Sequence, residues 1–593
     1  MQPRSNSSST AWPVHPAGDG YAAAHATEQA LGCPFDAGSA ISFEALVRAD
    51  EEESSADWAF ATLGELGAYQ SLVPVAEGGR LDSFDDLLMF TRLLARRDLV
   101  LTVGLGSTFL AAIPIWLWGD AAQRARAAEI VTGGGFATLG VTEESAGSDL
   151  VATRTRATRV DSGFRLDGEK WLVGNARRAD FYVVLARAEP SFGLFLVDRD
   201  RIESGTVQKL PKVRTRGLRG HDLSGMVFRG CLVPADAAVG RVGRGLEMVS
   251  GTLQFTRTLV AGMCLGAADT ALRIALRWAR TRRLYGESIL DLPPVRRLLA
   301  GAFADLLICE CTAIPAARGL NVAPHRMSLW SPIVKYLVPS LCEQVVRDSA
   351  EVLAARNFLR EGLASGVFQK LASDVAMATV FEGTQLVQLE TVRAQLAHGM
   401  RRRHALADEA VARAELFTPG APVAPWDPQN RRPSLSYGRD DEIVDGLEDV
   451  VEELHASPAQ AAHHLVVLAA RVLEVRDETR RDLASLAAGD FDRSTKGYDL
   501  ARAHCLVHAA ACCLHVWLEN RERHGGDFAD GHWVVLCLTR LFEKLGRPCA
   551  QPATVAEERC ATWLSELEEQ NRLFSLVPFP LAPASPASTG GDL

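Results

Sequence analysis

The sequence predicts a mainly α-helical protein with one all-β domain set near its middle. Three features carry that expectation. Apolar residues recur with helical spacing over about 39–138. Short strand-like runs broken by turn residues fill 139–238. Helical spacing then returns over 239–416 and again over 441–577.

Taken in order, residues 1–38 are rich in Ser, Ala, Pro and Gly without periodicity and read as a disordered leader. In the first helical domain, Phe84, Leu87, Leu88 and Leu94 share one face. Ser83 is placed to cap that helix, and Asp86 lies near its positive end. No charge occurs between Asp98 and Asp120, but Gly104, Gly106, Pro114 and Gly119 interrupt the stretch, so it reads as buried core rather than a membrane span. The runs Phe181–Leu185 and Phe192–Val197 mark the β-domain. Gly240, Gly243 and Gly245 follow no βαβ pattern and read as a turn before a helix, not as a dinucleotide fingerprint. Pro419, Pro422, Pro425, Pro428 and Pro433 make 417–440 a linker. Ile443, Leu447, Val450, Val451 and Leu454 form the first apolar stripe of the last helical domain, and 578–593 reads as a disordered tail.

A chain of 593 residues with 47% hydrophobic and 23% charged residues has room for several buried cores. Its formal net charge of −10 argues against a general nucleic-acid binder, which needs a basic surface to neutralise phosphates. The 12 cysteines are scattered through apolar segments, the pattern of reduced thiols in the cytoplasm. The first 40 residues show neither the basic start nor the apolar core of a secretory signal.

Five motifs narrow the reading. They are Thr142-Glu143-Glu144-Ser145-Ala146-Gly147-Ser148-Asp149; Leu166-Asp167-Gly168-Glu169-Lys170-Trp171-Leu172-Val173-Gly174-Asn175; Gly217-Leu218-Arg219-Gly220 with Val233-Pro234; Arg282-Arg283-Leu284-Tyr285-Gly286; and Phe381-Glu382-Gly383-Thr384. In this order the chain resembles the acyl-CoA dehydrogenase family of FAD-dependent flavoproteins, and specifically a longer member with a C-terminal helical extension. The resemblance implies an N-terminal helical domain, a β-barrel-like middle domain, a C-terminal four-helix bundle and an additional helical domain. It also implies FAD and an acyl thioester, on CoA or on an acyl carrier protein. Electron-transfer flavoprotein is the implied acceptor, fatty acid metabolism the setting, and a homodimer or homotetramer the assembly.

Such desaturation needs a base for a weakly acidic α-proton and an acceptor for the β-hydride. A carboxylate in a dry site is a strong enough base, because desolvation raises its pKa. By resemblance, Glu382 is that base and flavin N5 takes the hydride. Thr142, Ser148, Trp171, Val173, Arg282 and Thr384 would meet the cofactor, Arg282 from a neighbouring subunit. Ser148 and Arg257 would meet the substrate.

The chain departs from the pattern in places. Val173 stands where many relatives have a Thr that donates to flavin N5. Glu351-Val352-Leu353-Ala354-Ala355-Arg356 replaces a Gln-x-x-Gly-Gly segment whose glycines let phosphates approach. Pro293 and Ser373 replace a Gln and an Arg. FAD would then bind through altered contacts, with Arg356 compensating; the alternatives are an acyl-CoA oxidase, a flavin monooxygenase on the same fold, and a redox-silent thioester-binding homologue. Retention of Glu382 and Trp171 favours the enzyme. His504, His508, Cys512 and His515 share one helical face in the extension, but four ligands along one helix cannot surround one ion, so they read as core rather than as a metal site.

Overall fold

The computed structural model describes residues 20–401, 411–436, 441–456, 461–486, 494–550 and 553–584. The N-terminal helices are α1 (Ala22–Leu31), α2 (Phe43–Glu51), α3 (Asp57–Glu65), α4 (Phe84–Ala95), α5 (Leu99–Trp118) and α6 (Ala121–Thr132). Ser83 caps α4 by accepting from the Asp86 N–H at 3.3 Å, and Asp98 caps α5 by accepting from the Leu101 N–H at 3.1 Å. Helix α5 is apolar nearly all round because it is buried nearly all round. Among the described residues it is one of three helices long and apolar enough to cross a membrane; most of each apolar stretch is buried inside the fold.

One eight-stranded, largely antiparallel sheet follows: β1 (Ala137–Gly140), β2 (Arg156–Val160), β3 (Gly163–Gly174), β4 (Phe181–Ala188), β5 (Ser191–Asp198), β6 (Val207–Lys209), β7 (Leu223–Pro234) and β8 (Ala238–Val239). The strand order is β6-β7-β3-β2-β4-β5-β8, with β1 parallel to β4. Strand β4 reads as a continuous apolar run because both its faces are covered. Phe181, Val183 and Leu185 join the helical core, while Tyr182, Val184 and Ala186 join a separate β-domain core around Phe164 and Phe195.

The bundle comprises α7 (Gly245–Thr281), α8 (Pro293–Val322), α9 (Met327–Leu353), α10 (Val367–Val375) and α11 (Gln385–Arg401). Helix α7 packs along α4, α8 and α9. Further helices follow: Thr495–His524, His532–Lys544 and Thr554–Glu569 pack on α8, Ala462–Ser485 packs on the first two of these, and all share one core with α8. The order helical domain, sheet domain, helical bundle and added C-terminal helices is the one expected from the motifs.

Three boundary expectations are corrected. Residues 20–38 of the expected disordered leader are ordered: α1 buries Glu28, whose carboxylate pairs with Arg96 at 3.3 Å and Arg97 at 2.5 Å, while 1–19 lie outside the described residues. Residues 417–436 of the expected linker are packed; 437–440 lie outside the described residues. Trp426 wedges between Phe84 and Phe255 with centroids at 4.9 and 5.7 Å, and Asn321 donates to the Ala424 carbonyl at 3.0 Å. The expected disordered tail is ordered to residue 584. Phe579 and Leu581 are buried, and the Leu581 N–H donates to the Asn571 carbonyl at 2.9 Å, while 585–593 lie outside the described residues.

Candidate active site

A cavity of about 600 Å³ opens where the N-terminal helices, the sheet and the bundle meet. Leu94 of α4, Leu110 of α5 and Met263 of α7 are among its apolar walls. Its polar rim comes from three places: the Thr142–Ser148 loop, the end of β3, and the turn at Phe381–Thr384 before α11.

The loop after β1 is anchored from below. Buried Lys170 donates to the Val141 carbonyl at 3.0 Å and to Glu143 at 2.8 Å, and Glu143 also accepts from the Arg154 and Thr155 N–H groups at 2.7 and 2.9 Å. Burial alone would raise the Glu143 pKa, but the hydrogen bonds from Lys170 and Thr155 outweigh it and hold the group at about 2. Burial in turn lowers Lys170 to about 8. Thr142 and Ser148 therefore reach the cavity from a fixed loop, where Gly147 at φ +55° leaves open space in place of a Cβ. Between Trp171 and Val173 the β3–β7 register slips, with Leu172 at φ +52°, and the broken alternation brings all three residues to the cavity wall.

Glu382 stands on a strained turn, at φ +57°, followed by Gly383 at φ +100°. Backbone contacts lock it: Arg257 of α7 donates to the Glu382 carbonyl at 3.2 Å, and Gln388 donates to the Glu382 and Gly383 carbonyls at 3.0 and 3.1 Å. The carboxylate itself accepts one side-chain hydrogen bond, from Thr256 at 2.7 Å. Burial raises its pKa, opposed by the charge of Lys335, the Thr256 hydroxyl and Arg257. Lys335 of α9 is buried, donates to the Ala378 carbonyl at 2.6 Å, and sits 4.1 Å from the Phe381 ring centre; burial lowers it to about 8.

The structure thus gathers Thr142, Ser148, Trp171, Val173, Arg257, Glu382 and Thr384 around one cavity. Arg282 is elsewhere. It lies exposed past the end of α7, 5.9 Å from the Trp278 ring, and Arg356 lies 4.4 Å from the same ring. Motif reading missed Lys335, Thr256, Lys170 and His221. A single Lys within the apolar run Ile333-Val334-Lys335-Tyr336-Leu337 was the available signal; Thr256 gave none, being one of many hydroxyls on a long helix. His504 and His508 instead share buried Asp441, and no metal-binding group of side chains occurs among the described residues.

The cavity suits a planar ring system. Trp171 and aliphatic walls offer flat apolar contact, Gly106 and Gly147 leave space that a Cβ would take, and hydroxyls and an imidazole line the edges. Arg257 is the one basic lining residue among those described, so a diphosphate would have to be met elsewhere.

Comparisons with known proteins agree with this architecture. Residues 138–231 match the family model "acyl-CoA dehydrogenase, middle domain", and 243–397 match "acyl-CoA dehydrogenase, C-terminal domain". A cyclohex-1-ene-1-carbonyl-CoA dehydrogenase of Geobacter metallireducens is 27% identical over 352 residues, which is 58% of this chain and 92% of the relative. An acyl-CoA dehydrogenase complexed with FAD from Bacillus anthracis superposes with TM-score 0.69 at 15% identity over 89% of this chain and 92% of its own. A prolyl acyl carrier protein oxidase superposes with TM-score 0.54 at 19% identity over 59% of this chain and 93% of its own. The motifs, the fold and the two matching domain models lead to one conclusion: residues 138–231 and 243–397 are the middle and C-terminal domains of the acyl-CoA dehydrogenase family.

Proposed function

We propose that the protein oxidises the α,β carbon–carbon bond of an acyl thioester, carried on CoA or on an acyl carrier protein, with FAD as cofactor and Glu382 as base. The observation that carries this reading is the Glu382 carboxylate: held on a locked turn in the cavity wall, with one hydroxyl donor and a pKa raised by burial. A buried carboxylate with few donors is a stronger base than a solvated one. The Glu382 N–H has no acceptor among the described residues and is free to meet a thioester carbonyl as charge builds on its oxygen. Lys335 and Arg257 limit how far the carboxylate is driven towards its neutral form.

Bound FAD supplies the two-electron acceptor for the β-hydride. Trp171, Thr142, Val173 and Thr384 would hold its ring end, with Ser148 at the rim between cofactor and substrate. Its diphosphate needs more cations than Arg257 alone supplies, and Arg282 with Arg356 beside Trp278 would provide them outside the cavity. Exposed Tyr285 and Phe358 adjoin these arginines in sequence, which supports a homo-oligomer, a dimer or tetramer, in which one copy's arginines serve another's cofactor. Electrons would pass to an electron-transfer flavoprotein. All 12 cysteines are free thiols, in keeping with a cytoplasmic setting.

The test is the purified protein's visible spectrum, followed by anaerobic addition of acyl-CoA and acyl-carrier-protein thioesters. A yellow protein whose flavin band bleaches with one of them is expected. A colourless protein that cannot be reconstituted with FAD would overturn the reading in favour of a redox-silent thioester-binding homologue.

A further inference from the structure

His221 is a buried imidazole that neither the fold nor the base chemistry uses. It is 4% exposed, it lines the cavity, and its Nδ1 is buried without a hydrogen-bond partner. An unpaired buried polar atom is rare in a native protein and calls for a reason. Its mount is rigid. The Leu218 N–H is held by Asp374, the His221 N–H donates to the Leu218 carbonyl at 2.9 Å, and Asp222 accepts from the Arg177 and Arg178 N–H groups at 2.9 and 3.2 Å.

The imidazole is aimed at a defined spot. A Cβ placed on Gly174 would lie 2.8 Å from His221 Nε2 and 2.6 Å from Ser107 Oγ, so both polar atoms converge over the end of β3. Other groups on that wall are spent or apolar. The Thr138 hydroxyl donates to the Gly174 carbonyl at 2.6 Å, and Val173 offers only methyl groups. Burial, with Arg178 and Lys212 adding repulsion, lowers His221 to about 3, so the ring is neutral and carries one N–H donor and one bare nitrogen acceptor.

We propose that His221, with Ser107 beside it, is a hydrogen-bonding contact for the heteroaromatic ring of the cofactor at the β3 wall. This rests on the FAD reading above. A neutral imidazole that can both donate and accept matches a ring edge displaying both kinds of group. A thioester offers an acceptor only.

The test is FAD titration of the apo full-length protein, monitored by flavin fluorescence and absorption spectrum, for the parent, His221→Leu and His221→Gln. The expected result is roughly tenfold weaker FAD binding and a shifted flavin band in His221→Leu. His221→Gln, which keeps a donor and an acceptor, should recover much of both. Equal affinity and spectrum in the parent and His221→Leu would overturn the assignment. A loss confined to acyl-thioester binding would also overturn it, by moving the residue to the substrate. A parent that binds no flavin overturns the FAD reading itself, and the proposal with it. Should His221→Leu not fold, His221→Gln and the ¹⁵N signals of the parent imidazole on FAD addition still decide: unmoved signals overturn the proposal.

Discussion

Glu382 and Asp441 are both carboxylates withdrawn from water beside helix starts, and their surroundings push them in opposite directions. Glu382 accepts from one hydroxyl, and burial raises its pKa. Asp441 accepts from His504 at 3.0 Å, His508 at 2.7 Å, Trp330 at 3.1 Å and the Ile443 N–H at 3.3 Å. Burial would raise it too, but His508 and His504 outweigh that and hold it well below the usual carboxylate range. Desolvation makes a base only where donors are scarce; where they are saturated, the same burial makes a strut. One site is left able to take a proton. The other ties the C-terminal helices to α9.

The largest expected effect is on turnover. Glu382→Gln should cut flavin reduction by a thioester about 10²–10⁴-fold, roughly 3–5 kcal/mol in barrier, with FAD content unchanged. Stopped-flow absorbance measures this, and an unchanged rate would remove Glu382 from the chemistry. Because its folded-state pKa is raised, Glu382 costs stability once the pH exceeds the unfolded carboxylate value. The same variant should therefore unfold later than the parent above the folded pKa, with the gain vanishing below the unfolded carboxylate value.

Next in size is the strut. Asp441→Asn leaves two buried histidines without their anion and should cost about 3–5 kcal/mol. The Asp441 contribution is present above its unfolded pKa and lost as pH falls through its depressed folded value, so the parent's advantage should shrink on acidification. Denaturant unfolding at several pH values tests this; equal stability at neutral pH would mean the network carries no weight.

Lys335→Met probes the base side more gently. Removing the cation should raise the Glu382 pKa further, so the acid limb of the pH–rate profile moves to higher pH, with a loss smaller than that of removing the base, under about 10²-fold. An unmoved limb would show that Lys335 only anchors the Ala378 carbonyl. The smallest effect is expected of Val173→Thr. Its new hydroxyl should gain about 0.5–1.5 kcal/mol where a bound ring edge offers a partner, and stability measured with and without FAD should differ from the parent by that amount. No difference would place Val173 away from the ring.

The sequence by itself determined what is local or carried in motifs. Helical and strand spacing marked the sheet between two helical regions, because side chains at period 3.6 or 2 announce which face is buried. The stretch Phe381-Glu382-Gly383-Thr384 singled out Glu382, which the fold places in the cavity wall, and Ser83 was legible as the cap of α4. What only the tertiary structure decided depends on partners far away along the chain. Residues 20–38 are low in periodicity, yet Glu28 is fixed by Arg96 and Arg97 and accepts from the Ala582 N–H at 3.2 Å, joining both ends of the chain. The prolines of 417–436 announced a linker, but Trp426 found a pocket between α4 and α7. Lys335 and His221 look like ordinary polar residues until the fold removes water from around them. Burial of a charge or a ring nitrogen is a property of the whole packed molecule, and no short window of residues encodes it.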